Sequence, residues 1–389
     1  MQSEIDTLLK NDLVLEARKL AEEWAANTVD DHLLAMQYAG MSQIFCGDAL
    51  AAEQTFRAAL TLDPDLPRNV ANLGMALMTQ GKYKEGLPLY EARYAQGILA
   101  KEQSSFADMD SARQWMGEPL HGKRLLLIGE QGFGDQIQFI RFAAELRSLG
   151  ASQIIAQLRP ELANLLSTAP CVDRVLTGTP TSDAFDLWCP LLSTALHLQL
   201  EQSLQPLHLP YLFAPQERSR AWQQQLQTWF QDKPKIGLVW AGSPGNSVDG
   251  RRSLPFSNVL KLLKIFTGAA IVSLQIGTAG MESLDLQCSN GMIPLLDLLT
   301  DFSETAAVIE NLDLVISVDT AVAHLAGALG KPVWLLLPAG PDWRWGLHAP
   351  TTDWYPSMRI FRQTQPSDWN SVVASVEKEL QRLQEHASV

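Results

Sequence analysis

Basic residues are the first shortage. The 389-residue chain carries 30 lysines and arginines against 43 aspartates and glutamates, a formal net charge of −13. Phosphate-backbone neutralisation needs clustered Lys and Arg, so the balance argues against a nucleic-acid partner, although one basic pocket would serve a small phosphorylated ligand. Cysteine is scarce as well. Cys46, Cys171, Cys189 and Cys288 show neither a CxxC pair nor Cys/His spacing, which argues against a disulfide framework or a zinc site and suits a reducing compartment. No apolar run reaches the roughly 18 residues a membrane helix requires. Gln2, Ser3, Glu4 and Asp6 are too polar for a signal peptide, so a cytoplasmic location is expected. What is present is ordinary globular material: 46% hydrophobic and 19% charged residues, enough for two or three domains with cores of their own.

The first part of the chain repeats itself. Gly40 and Gly74 stand 34 residues apart, as do Gly47 and Gly81, Ala52 and Gly86, and Phe56 and Tyr90. Small residues that let two helices approach, and one aromatic that fills the gap between them, make the tetratricopeptide (TPR) pattern. Pro64 closes the first unit, and Asn72-Leu73-Gly74 opens the second. Residues 5–29, with Leu9, Leu13, Ala17, Ala21 and Trp24, read as a degenerate earlier unit. Two to three units are near the lower limit for an independent solenoid, so this segment is expected to lean on the next domain.

From Gly122 the period changes. Arg124–Ile128 is a continuous apolar run of the kind a buried parallel strand needs, and a glycine-rich turn and an amphipathic helix (Ile137, Ile140, Arg141, Ala144, Leu146) follow it. Residues 153–156 and 172–176 continue the rhythm. A second series follows the linker Lys233-Pro234: 235–240, 270–274, 312–317 and 332–337. Alternating strands and helices predict parallel sheets. The expected fold is therefore α + α/β: TPR-like helical hairpins over 1–115, then two Rossmann-like lobes over 116–232 and 233–389, the latter ending in a helix. Ligands of such lobes gather at the carboxyl ends of the strands.

Three segments could carry chemistry. Gly129-Glu130-Gln131-Gly132-Phe133-Gly134-Asp135 joins the first strand to its helix, and Gly132 and Gly134 free backbone N–H groups for phosphate or a close substrate. It lacks the GK[ST] of a P-loop and the acidic ribose ligand of a dinucleotide site, so an NAD(P) oxidoreductase is poorly supported. A tight turn with Asp135 as helix N-cap is the alternative. Ser317–Gly330 delivers a buried strand into a helix of small residues, whose first turn is expected to hold Asp319, Thr320 and Ala321 as an anion site. His324, four residues after Thr320, is expected on the same side, either as a ligand contact or as a structural hydrogen bonder. The loop Trp240-Ala241-Gly242-Ser243-Pro244, with Asp249, Arg251 and Arg252, brings hydroxyl, amide and guanidinium groups, and Arg252 could pair with a diphosphate. The segments 341–345 and 353–356 offer aromatic faces for stacking or packing. Asp108-Met109-Asp110 precedes the first strand and is discounted as a metal pair.

Taken in order, these pieces resemble the two-lobed glycosyltransferase family 9, which includes the bacterial heptosyltransferases, and the whole chain resembles bacterial TPR proteins that carry such a domain. The carrying residues are 130–135 with Ile137-Gln138-Phe139, 239–244 with Arg252-Ser253, Ser273-Leu274-Gln275, Asp301-Phe302, 319–330, 342–345 and 354–356. The resemblance implies a GT-B fold, with the acceptor on the 116–232 lobe and a nucleotide-diphosphate sugar on the 233–389 lobe. It implies inverting transfer with no metal and no cofactor beyond that co-substrate. Asp135 takes the position of the catalytic base. Gly132, Gly134, Ser243, Arg252, Gln275, Asp319, Thr320, Ala321 and His324 fall to the donor. Two departures stand out: Asn246 where relatives often have His, and Ile276 where they often have Lys. They keep a non-catalytic TPR adaptor open as the alternative. The repeats favour a polypeptide acceptor, such as a surface or flagellar protein.

Overall fold

The computed structural model describes residues 1–24, 28–95, 109–178, 180–199, 209–245, 249–282 and 291–387. Asp108, Asn246 and Cys288 lie outside the described residues.

Six helices open the chain, each packed on the next: α1 (Gln2–Lys10), α2 (Val14–Glu22), α3 (Val29–Phe45), α4 (Ala49–Leu62), α5 (Pro67–Thr79) and α6 (Tyr83–Tyr90). Local chemistry starts them. The Thr28 hydroxyl accepts Asp31 N–H at 3.1 Å, the Asp48 carboxylate accepts Ala51 N–H at 3.1 Å, and Pro67 takes the first position of α5. The 34-residue pairing has a steric counterpart. A Cβ on Gly40 would lie 2.5 Å from the Phe56 ring, and one on Gly74 would lie 2.8 Å from the backbone of Gly86 and Tyr90. The expected early unit is the pair α1–α2. Of its pattern, Ala17 and Ala21 are buried and Leu9 and Trp24 partly so, but Leu13 falls between the helices and is 43% exposed.

Two parallel sheets follow. The first contains β1 (Arg124–Ile128), β2 (Gln153–Gln157), β3 (Arg174–Leu176) and β4 (Leu187–Pro190), in the order β3-β2-β1-β4. Leu126 of the inner strand pairs with Ile155 on one side and Trp188 on the other, so both faces of β1 are buried. The second contains β5 (Lys235–Val239), β6 (Ala270–Ser273), β7 (Ile293–Pro294), β8 (Leu314–Val318), β9 (Val333–Leu337) and β10 (Met358–Arg362), in the order β10-β9-β8-β5-β6-β7. β4, β7 and β10 are additions to the sequence-derived strand set. Strand order reverses between β1 and β4 and between β5 and β8, the positions where parallel sheets open a crevice at their carboxyl ends.

Helices join the two sheets. α7 (Phe133–Phe139) and α8 (Pro160–Leu166) follow β1 and β2, and α9 (Gln216–Phe230) leads to β5. α10 (Phe256–Ile265), α11 (Phe302–Glu310), α12 (Ala321–Ala328) and α13 (Trp369–Ala387) belong to the second series. α7 packs on α12 and α8 on α11, with the Phe133 and Phe302 rings 5.0 Å apart. The amphipathic segment after α7 is broken by a tight turn at Ile140–Phe142, and Ala144 faces outward. α9 lies against α11, where Arg218 meets Asp301 at 2.8 Å. One apolar cluster runs from Leu125 through Ile137 and Phe139 to Ala323 and Leu335 without a break.

The helical segment leans on both sheets. Arg93, beyond α6, pairs with Glu130 at 3.3 Å, both residues 2% exposed. At the other sheet the Arg251 guanidinium sits 4.0 Å from the Phe45 ring centroid and donates to Gly340 O. Among the described residues, no helix is long and apolar enough to cross a membrane.

Candidate functional site

The glycine-rich loop after β1 is held from two sides. Gln131 adopts φ +55°, a left-handed conformation that a side chain rarely takes. Its carbonyl accepts from Arg159 at 2.7 Å, and its side-chain amide donates to the Tyr90 hydroxyl of α6 at 3.2 Å. Gly132 is the N-cap of α7, so Asp135 is the third helical residue and not the cap itself. Its carboxylate reaches back to accept Gly132 N–H at 2.8 Å and forms an ion pair through its other oxygen with Arg344. Burial pushes the Asp135 carboxyl up and the nearby Asp342 adds to this, while the Arg344 guanidinium opposes both.

The second half of the site is the start of α12. Thr320 is the N-cap and Ala321 the first helical residue, which leaves Asp319 just outside the helix instead of in its first turn. The Thr320 hydroxyl does not cap the helix but lies 3.0 Å from Ser317 Oγ. The first N–H groups of α12 therefore have no side-chain acceptor from the N-cap. His324 is buried: its ring stacks 5.1 Å from that of Trp345, Nδ1 is 3.0 Å from the Tyr355 hydroxyl and Nε2 is 3.9 Å from Asp319. Burial, assisted by Arg344, depresses its pKa to about 3, so the imidazole is neutral. Asp319 moves the other way, pushed up to about 6 by burial and by Asp342, with Arg252 opposing.

Around the loop after β5 the polar groups bond to one another. Gln275 accepts the N–H groups of Trp240 and Ala241 at 3.0 and 2.9 Å and donates to Ala241 O and Ile276 O. Its amide shapes this loop and is fully engaged in doing so. Arg252 donates to Asp249 at 2.8 Å, and a Cβ on Gly242 would lie 2.4 Å from its guanidinium. Ser243 is exposed, and Ile276 is 55% exposed.

The two halves meet directly. A Cβ on Gly134 would fall 3.6 Å from the Ala321 Cα, so the loop carrying Asp135 abuts the start of α12. Gly132, Gly134, Asp135, Asp319, Thr320, Ala321 and His324 form one locale, which Arg252 joins electrostatically through Asp319. Trp343, Trp345, Trp354 and Tyr355 are at most 3% exposed, which makes them packing residues beneath the site and not stacking platforms. Asp342 and Arg344 belong to the site although neither was among the candidates. Their sequence signal was a place in the tryptophan-rich run 342–345 that carries the resemblance, where neither was given a role.

Residues 288–353 match the family model of glycosyltransferase family 9 (heptosyltransferase). That segment contains β8, the start of α12, β9 and Asp342–Trp345, and relates this part of the second sheet unit to those enzymes. Over 355 residues the chain is 27% identical to protein FlbA of Caulobacter vibrioides; the match covers 85% of this chain and 58% of that relative. Among solved structures, E. coli ADP-heptose lps heptosyltransferase II aligns with 68% of the chain and 99% of its own, at 16% identity and TM-score 0.49. A family 9 glycosyl transferase from Veillonella parvula aligns with 68% of the chain and 92% of its own, at 14% identity and TM-score 0.47.

Proposed function

We propose that the protein is a glycosyltransferase that moves a sugar from a nucleotide-diphosphate sugar to an acceptor hydroxyl, with inversion and without a metal. The observation that carries this reading is the abutment of the Asp135 loop on the start of α12, the latter within the segment 288–353 that matches family 9. In this reading the two sheet units are the lobes of a GT-B fold. Asp135 takes the proton of the acceptor hydroxyl as that oxygen bonds to the anomeric carbon. The anomeric bond to the diphosphate breaks on the opposite face, and the nucleoside diphosphate leaves with the bonding pair. Free N–H groups at Thr320 and Ala321, with the helix dipole and Arg252, receive the developing charge. Gln275 acts indirectly, by shaping the loop that carries Ser243.

The same reading takes α1–α6 as TPR-like hairpins that present a polypeptide acceptor. Tyr90 supports it, since it ties α6 to the Asp135 loop through Gln131. A cytoplasmic setting suits the free thiols of Cys46, Cys171 and Cys189.

Titrating the full chain with UDP-, GDP- and ADP-linked sugars while following donor hydrolysis tests this function. Asp135→Asn should retain donor binding and lose at least about 100-fold in turnover, the lower range for removing a general base. Undiminished turnover would return Asp135 to helix capping. A second reading, a non-catalytic adaptor, is favoured by one observation: both Asp135 oxygens already have partners, in Gly132 N–H and Arg344. Failure of every nucleotide sugar to bind would select it.

A further inference from the structure

The guanidinium of Arg344 spans the junction between the two sheet units. Its Nε donates to Gln138 Oε1 at 2.6 Å, one Nη donates to Asp342 at 2.8 Å, and the other is paired with Asp135. Asp135 and Gln138 are three residues apart on α7, hence on one face of a helix in the first unit. Asp342 and Arg344 follow β9 in the second. The side chain is only 6% exposed and lies between two rings, with Cζ 4.6 Å from the Trp343 centroid and 5.3 Å from that of Phe139. A planar fork with three separately directed donors is what this geometry uses, and an ammonium group cannot reproduce it. Gln138 is fully buried, so its amide could not find water if the fork were withdrawn.

We propose that Arg344 is the positioning residue of the site: it locks the two halves in register and holds the Asp135 carboxylate oriented and charged. The inference rests on the reading of Asp135 as the base. The groups facing that carboxylate are Arg344, Asp342 and the Gly132 N–H. Burial and Asp342 favour the protonated acid, which could not accept a proton. Arg344 supplies the opposing charge.

The test follows the Asp135 carboxyl by ¹³C NMR across a pH titration of the full-length protein, with Asp135→Asn identifying the signal. In Arg344→Gln the midpoint should rise by about one unit or more, the usual effect of losing an adjacent opposite charge. Arg344→Lys should bring it part of the way back. The acid limb of kcat/KM should rise in parallel, with kcat falling and donor KM little changed. An Asp135 titration in Arg344→Gln that matches the parent protein would overturn the proposal. If Arg344→Gln does not fold, Asp342→Asn gives the answer in the opposite sense. It removes a like charge and frees the fork for Asp135, so the midpoint must fall, and an unchanged or higher midpoint sinks the idea. Loss of the glycosyltransferase reading would appear separately, as absence of transfer by the parent protein, and leaves the titration interpretable.

Discussion

Gly134 and His324 touch across the two sheet units: the Cβ that Gly134 lacks would sit 2.8 Å from the His324 Cδ2. The imidazole cannot retreat easily, because Trp345 stacks on one face and Tyr355 holds Nδ1. Within a helix, Gly→Ala ordinarily gains about 0.5–1 kcal/mol. Here overpacking of about 1–3 kcal/mol should win. Gly134→Ala is therefore expected to lower the thermal midpoint and weaken nucleotide-diphosphate binding together. A variant at least as stable as the parent would show that α7 and α12 have slack between them.

The Arg93–Glu130 pair is buried on both sides, and Glu130 also accepts from Tyr94 at 2.6 Å and from Leu192 N–H at 3.0 Å. Arg93→Ala would leave a carboxylate without its counter-charge and should cost about 3–5 kcal/mol in urea denaturation. Replacing both partners with apolar residues, as in Arg93→Met with Glu130→Leu, should cost less, about 1–3 kcal/mol for the Leu192 N–H that loses its acceptor. A loss below about 1 kcal/mol in the single variant would mean that the helical segment is only loosely seated.

Asp319 gives a pH signature. Its folded-state pKa is about 6 against an ordinary 3.8, so the folded chain keeps a proton that the unfolded chain releases. Between those values stability falls as pH rises. Asparagine has no proton to lose. Asp319→Asn should match the parent near pH 4 and exceed it by about 1–3 kcal/mol at pH 7. A stability difference that stays flat across denaturation curves at pH 4, 5, 6 and 7 would refute the burial of this charge. His324, depressed to about 3, works in the opposite sense in both proteins, with stability lost as pH falls, so the comparison is between variants and not along one curve.

At the proposed diphosphate cradle, Ala321→Pro removes an N–H at the first helical position, where proline is normally tolerated. Binding of the nucleoside diphosphate should weaken by about 1–3 kcal/mol while that of the bare nucleoside changes little. Thr320→Val should act in the same direction. Calorimetry with both ligands decides, and equal losses would put the phosphates elsewhere.

Much of the scaffold was legible in the sequence, and the exceptions have physical causes. β1 and β9 announce themselves because inner parallel strands are apolar on both faces. β10 did not, because on this edge strand two arginines interrupt the apolar run: Met358, Ile360 and Phe361 are buried beside the partly exposed Arg359 and Arg362. β4 is only Leu-Trp-Cys-Pro, too short for a period to declare itself. The glycine-rich loop and the small residues of α12 were legible as segments that lack bulk, and in the structure Gly134 lies against His324 and Gly327 against Tyr355. Arg344 lay in the run 342–345 that carries the resemblance, but its role was not legible, for a different reason. Its importance lies in reaching a helix some 200 positions earlier in the chain, which no local pattern encodes.

The contacts of the helical segment with the second sheet bear on how the protein is made. Gly340 has no room for a side chain because Ile44 and Phe45 carbonyls press against it, and Gly47 meets Ala339 in the same way. Helices α3 and α4 leave the ribosome with this surface bare, well before the segment at residues 339 and 340 that covers it. Non-local pairing of this kind slows folding and prolongs the exposure of incomplete surfaces. Chains stalled before residue 339 should therefore carry folded helices with an unmatched seam, and nascent-chain proteolysis should find it protected only once β9 has emerged.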